Sequence, residues 1–150
     1  MPDMKAGISE KVEKYKNDVK ELSRYLDYLE SKKGTEAGSS YDPGEGKKTT
    51  IQVPTYDSGL MSFIKCAQKT SFMDRNYMYV YRRYNMRDEN DERRQIERTQ
   101  IMEIEVLGAI LSKYILKGQT QARMWTEGAK NGIMYEAVKK MKELIEFWSY

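Results

Sequence analysis

Seven of the nine arginines lie between positions 75 and 98: Arg75, Arg82, Arg83, Arg87, Arg93, Arg94 and Arg98. Tyrosines are interleaved with the first four of them in the run RNYMYVYRRYNMR, residues 75 to 87. Arginine presents a planar fork of donors that grips carboxylates and phosphates through paired hydrogen bonds. Tyrosine offers a broad face that stacks on bases or fills a partner's pocket. As a helix the run sets Arg75, Tyr79, Arg82 and Met86 on one stripe, with Arg83 beside it. Met73, Tyr77, Val80 and Tyr84 form the opposite, inward stripe. Tyr77, Tyr79 and Tyr81 also alternate as in a strand, but Ser71 with Asp74 three residues on resembles a capping box and favours the helix.

Such a face suits two kinds of partner, a protein or a nucleic acid, single-stranded above all. It also has a purely local use. Glu89 stands four residues before Arg93, and Asp88, Asp91, Glu92 and Glu97 are close enough to tie the arginines into a surface lattice of ion pairs.

The remaining chemistry is narrow. There is no histidine, so Ser-His-Asp and Cys-His catalysis are excluded and the commonest general base is missing. Cys66 is the only cysteine, which rules out an internal disulfide and a thiolate metal cluster; its place beside an apolar stripe reads as packing. Neither G-x-x-x-x-G-K-[ST] nor G-x-G-x-x-G occurs. Glu103 and Glu105 are acids on an otherwise apolar helix, but they diverge by about 160° around its axis and read as boundary residues paired with lysine or arginine. No catalytic residue, metal site or cofactor is assigned.

The stretch that must carry this face runs from 88 to 117. Acids crowd its start, Lys113 and Lys117 sit near its end, and Gly118 follows as a left-handed helix stop. Ile96, Gln100, Ile101, Ile104, Leu107, Gly108, Leu111, Tyr114 and Ile115 share one face, with Met102, Val106, Ala109 and Ile110 behind it. A helix apolar on two sides is surrounded by others, so 88–117 is expected to be the centre of the molecule, with Gly108 where a neighbour comes closest.

Towards the N-terminus, Val12, Tyr15, Val19, Leu22, Leu26 and Leu29 recur every three or four residues. This is a heptad seam, which packs on its own body, on a second copy of the chain as a homodimer, or on a different partner. Residues 32 to 48 are rich in Gly, Ser, Pro and Glu and read as a flexible linker, followed by an extended TTIQV at 49–53 that Pro54 stops. Further helices are expected over Leu60, Phe63, Ile64 and Ala67, over 119–130, and over 133–148 with Met134, Ala137, Met141, Leu144 and Trp148 inward. Ten methionines are read mainly as core filling.

The expected fold is all-α. An N-terminal heptad helix (1–33) and a linker with a short extended segment (34–56) precede a helical core (57–150) of four or five helices around 88–117. With 150 residues, a net charge of +3 and a mean hydropathy of -0.82, the chain has no membrane span and no secretory signal, and a reducing, cytoplasmic setting is expected. The expected function is a non-enzymatic binding protein, an adaptor or stoichiometric inhibitor, working through protein contacts at 75–98. The alternative is nucleic-acid binding by the same surface, and a carboxylate-based metal-dependent enzyme has the least support.

Overall fold

A computed structural model describes residues 4–34, 38–40, 54–56, 58–121 and 123–149. The order is α1 (Met4–Ser23), α2 (Leu26–Lys32), two short strands β1 (Gly38–Ser40) and β2 (Pro54–Tyr56), α3 (Ser58–Gln68), α4 (Tyr77–Arg83), α5 (Glu89–Arg98), a 3-10 turn at Ile101–Glu103, α6 (Ile104–Lys117), α7 (Arg123–Lys130) and α8 (Ile133–Trp148). The helices pack as a bundle. α6 and α8 lie against each other in the middle; α8 also touches α1, α2, α5 and α7, and α6 touches α3, α4 and α7. Most of the expected linker, including 49–53, lies outside the described residues. Its described ends pair antiparallel, with Ser39 opposite Thr55. Pro54 opens β2, a position where its missing N–H breaks no ladder. Among the described residues no helix is long and apolar enough to cross a membrane.

The heptad seam is covered by its own chain. Val12, Tyr15, Val19, Leu22 and Leu29 are buried and Leu26 is half-buried, and α1 rests on α8, α3 and the 3-10 turn. Tyr15 stacks on Phe72 with ring centroids 4.4 Å apart. A homodimer through this face would require α1 to leave the body. The helix is also not continuous to 33. The Ser23 hydroxyl donates to the Val19 carbonyl and the chain tightens through Arg24 and Tyr25 before α2 begins.

The expected 88–117 helix is two helices. Thr99 turns its own hydroxyl back on the Gln95 carbonyl at 2.7 Å, and its backbone is extended, with ψ 131. The Gln100 N–H then donates to Glu103 Oε1 at 3.4 Å, the backward half of a capping box. A local stop and a local start thus interrupt an unbroken hydrophobic period. Beyond the break, Ile104 and Val106 to Leu111 bury both apolar strips, whereas Met102 is exposed above Gly7. Gly108 is the expected point of closest approach. A Cβ there would stand 2.8 Å from Phe72 Cδ1 and 3.0 Å from the Phe72 carbonyl oxygen.

Gly118 is not the left-handed stop its position implied. Its φ is -64. Glycine is needed because the Trp125 ring sits on its Cα, pinned by an indole N–H to Ile115 carbonyl bond of 2.8 Å. An alanine Cβ would collide with Cδ1 and Nε1 of that ring. Gly118→Ala is therefore expected to lose about 1–3 kcal/mol by overpacking, where an uncrowded Gly→Ala change would gain about 0.4–1 kcal/mol. Urea denaturation decides between the signs, and a raised midpoint would mean the indole does not sit there. A left-handed glycine stands instead at Gly132, with φ 83, in the Asn131-Gly132 pair that opens α8. α8 spans its expected range, except that Trp148 is exposed rather than inward and meets Phe147 edge-on at 5.1 Å.

Candidate functional site

α4 starts later than the sequence implied. Ser71 makes no capping box: its N–H goes to Asp18 Oδ2, and Asp74 Oδ1 instead accepts the Asn76 N–H. The helix ends at Arg83 because Asn85 takes a left-handed φ of 55, the Met86 N–H donates to the Tyr81 carbonyl at 2.9 Å, and the Asn85 N–H donates to the Arg82 carbonyl. These two bonds form a Schellman stop, which draws the apolar residue after it inward. Met86 is accordingly buried, and does not extend the outer stripe as expected.

Tyr81 is the buried residue of α4, with Tyr77, Val80 and Tyr84 half-buried beside it. Outward, Tyr79 is 76% and Met78 50% exposed, next to exposed Arg82 and Arg83. Arg75 and Arg87 flank them, also exposed. Residues 75 to 87 contain four arginines and no acid. None of these four makes an ion pair with a described residue; Arg83 lies 5.9 Å from the centre of the Tyr84 ring.

The α5 arginines behave differently. Residues 88 to 98 hold three arginines against five acids. Arg93 stands 3.7 Å from Glu89 and donates to the Asn131 carbonyl at 2.6 Å, and Arg94 pairs with Asp91. The Arg87 N–H and then the Arg94 guanidinium hold the Asp91 carboxyl below the usual carboxylate range. Arg98 is exposed in the last turn of α5, which rests on α8, whereas α4 rests on α6. The structure therefore divides the expected set. Arg75, Tyr79, Arg82, Arg83 and Arg87 stay available on and around α4, while Arg93 and Arg94 are used locally.

Beneath α4 lies a cluster that sequence reasoning missed. Glu92 is fully buried. Its Oε2 accepts the Tyr81 hydroxyl at 2.5 Å and the Lys113 ammonium at 3.0 Å, and its Oε1 accepts the Tyr114 hydroxyl at 2.7 Å. The Asn131 amide donates to the Tyr114 hydroxyl at 3.2 Å, and Asn131 Oδ1 accepts the Ile133 N–H. Burial first, and the Glu92 charge second, push the Tyr81 and Tyr114 phenols far above their ordinary range. One carboxylate thereby ties α4, α5 and α6 together. The available signal was phase: Glu92 shares a face with buried Ile96 and Thr99, four and seven residues on.

Glu103 and Glu105 form no joint site. Glu103 caps the 3-10 turn, and Glu105 accepts Lys11 at 2.5 Å and the Tyr15 hydroxyl at 2.8 Å. Burial alone would raise the Glu105 carboxyl; those two hydrogen bonds outweigh it and hold it below the usual range. Burial likewise raises the Cys66 thiol. No family model, curated protein or solved structure matches this chain.

Proposed function

We propose that this chain is a non-catalytic binding protein, an adaptor or stoichiometric inhibitor, whose α4 face docks a protein partner. The observation that carries the reading is the contrast across α4. Its inner face is held by a buried charge network, while its outer face leaves Tyr79 and Met78 largely exposed between arginines that have no ion-pair partner among the described residues. Rigid aromatic and arginine anchors are what protein hot spots are made of, and an exposed methionine beside them adds apolar area that a phosphate backbone would not use.

A photo-crosslinking amino acid placed at Tyr79 tests this in lysate of the native host. The expected result is a discrete protein adduct that survives nuclease treatment, is lost on Arg82→Glu with Arg83→Glu, and is absent when the crosslinker stands at Glu143 on α8. The four arginines without acids support a second reading, single-stranded nucleic acid. In that case the adduct vanishes with nuclease, and the log-log salt slope for an oligonucleotide is about -2 to -4. Affinity that ignores salt removes that second reading.

A further inference from the structure

Beside Arg75 and Tyr77 an open cleft of about 390 Å³ reaches the last turn of α6, lined by Arg75, Tyr77, Leu116, Lys117, Gln119 and Thr120. It contains two cations and no acid. Neither Arg75 nor Lys117 makes an ion pair with a described residue, and the Tyr77 hydroxyl and Gln119 amide make no hydrogen bond with one. Lys113, one turn earlier on α6, is by contrast neutralised by Glu92. Asp74, next to Arg75, is not in the lining.

The negative end of α6 would ordinarily oppose an anion here. Its carbonyls are already covered. Tyr114 and Leu116 accept the N–H groups of Gly118 and Gln119; Lys117 accepts those of Thr120 and Gln121 and the Thr120 hydroxyl; Ile115 accepts the Trp125 indole. Four of the side chains that line the cleft, Arg75, Tyr77, Lys117 and Gln119, carry hydrogen-bond donors.

We propose that this cleft binds a phosphoryl-type oxyanion carried on a protein side chain. Four donors on separate arms match a group with several oxygens and nearly two charges better than a two-oxygen carboxylate. A nucleic-acid backbone needs a track of cations, and along α6 the next one, Lys113, is spent on Glu92. The proposal rests on the α4 face being a protein-docking surface, because Arg75 belongs to both.

The test is an amide-resolved titration of the full chain with inorganic phosphate, a short phosphoserine peptide, the same peptide without phosphate, and an oligothymidylate. Phosphate and phosphopeptide are expected to shift the Tyr77, Lys117 and Gln119 amides saturably, and the plain peptide to leave them in place. Lys117→Gln should weaken phosphopeptide binding about tenfold, and Tyr77→Phe by less, with the rest of the spectrum unmoved. No saturable shift, or wild-type affinity in Lys117→Gln, overturns the site. A phosphate shift that the phosphopeptide does not reproduce overturns its assignment to a protein side chain, and tighter binding of the oligothymidylate at the same amides hands the cleft to nucleic acid. The Tyr79 adduct is scored without any phosphate ligand, so failure of the cleft with the adduct intact removes this proposal alone. Loss of the adduct with phosphate still bound removes the docking surface instead.

Discussion

Glu92→Ala is expected to cost about 3–5 kcal/mol of folding stability, the loss seen when one partner of a buried charge pair is removed. The carboxylate is completely buried, and three donors from two other helices converge on it. Truncation leaves two buried hydroxyls without an acceptor and an ammonium whose side chain is 20% exposed. An unsatisfied buried hydroxyl costs about 1–3 kcal/mol, more than a hydrogen bond contributes when formed. Glu92→Gln should fall between: it keeps the volume, but offers one acceptor oxygen and turns its own N–H donors on donors. Glu97→Ala, exposed on the same helix, should stay within about 0.5 kcal/mol. For a chain of this size the Glu92→Ala loss corresponds to a fall in melting temperature of about 10 °C. A fall of less than about 1 kcal/mol would mean the three donors find other acceptors and the network does not hold the helices. Amide exchange should quicken at Tyr81 and Arg82 in the same variant, since α4 is tied to α5 through that carboxylate.

The second large effect is alkaline. Tyr81 and Tyr114 have folded pKa values well above the unfolded one, because burial and then the Glu92 charge disfavour a phenolate. A folded pKa raised above the unfolded value contributes stability that is complete below the unfolded pKa, about 10 for tyrosine, and is lost as pH climbs beyond it. In that window these two groups account for two protons that the unfolded chain releases and the folded chain keeps, and Tyr15, raised by burial and by its bond to Glu105, accounts for a third. Stability should therefore fall by about 4 kcal/mol per pH unit, three times the value for one proton. Urea midpoints measured from about pH 9 to about pH 11 give the slope. Tyrosinate absorbance gives a second view: among the twelve tyrosines, Tyr15, Tyr81 and Tyr114 should ionise only together with loss of the helical circular dichroism. A titration in which all twelve ionise before that loss would show that these hydroxyls reach solvent in the folded protein. Replacing Tyr81 and Tyr114 with Phe should reduce the slope to about a third, the part left by Tyr15, whatever it does to the midpoint.

What the sequence made legible follows from period and what it hid follows from tertiary pairing. The α1 seam, the α3 stripe at Leu60, Phe63, Ile64 and Ala67, and the span of α8 are all period signals, and the structure buries them. The break at Thr99 was hidden because Ile96, Ile101 and Ile104 keep an apolar rhythm across it, and only the Thr99 and Gln100 side chains mark the interruption. Gly118 was correct in type and wrong in cause, since its neighbour Trp125 arrives from α7. The Arg/Tyr face was visible by composition. Its division into available and locally used arginines was half visible, in the acids of α5, but Arg93's bond to Asn131 spans 38 positions and carries no local mark. Glu92 was read as one more surface acid because its partners come from α4 and α6.

The close packing of α1 against α8 also has a consequence for the newborn chain. Val12, Tyr15 and Val19 are made early, and the helix that covers much of their seam is made after every other described one. At a synthesis rate of about 5–20 residues per second, that stripe waits on the order of ten seconds for its cover. During that interval the greasy edge of α1 faces water, a chaperone or a neighbouring nascent chain, so the helix of this bundle that is synthesised first is among the last to be buried.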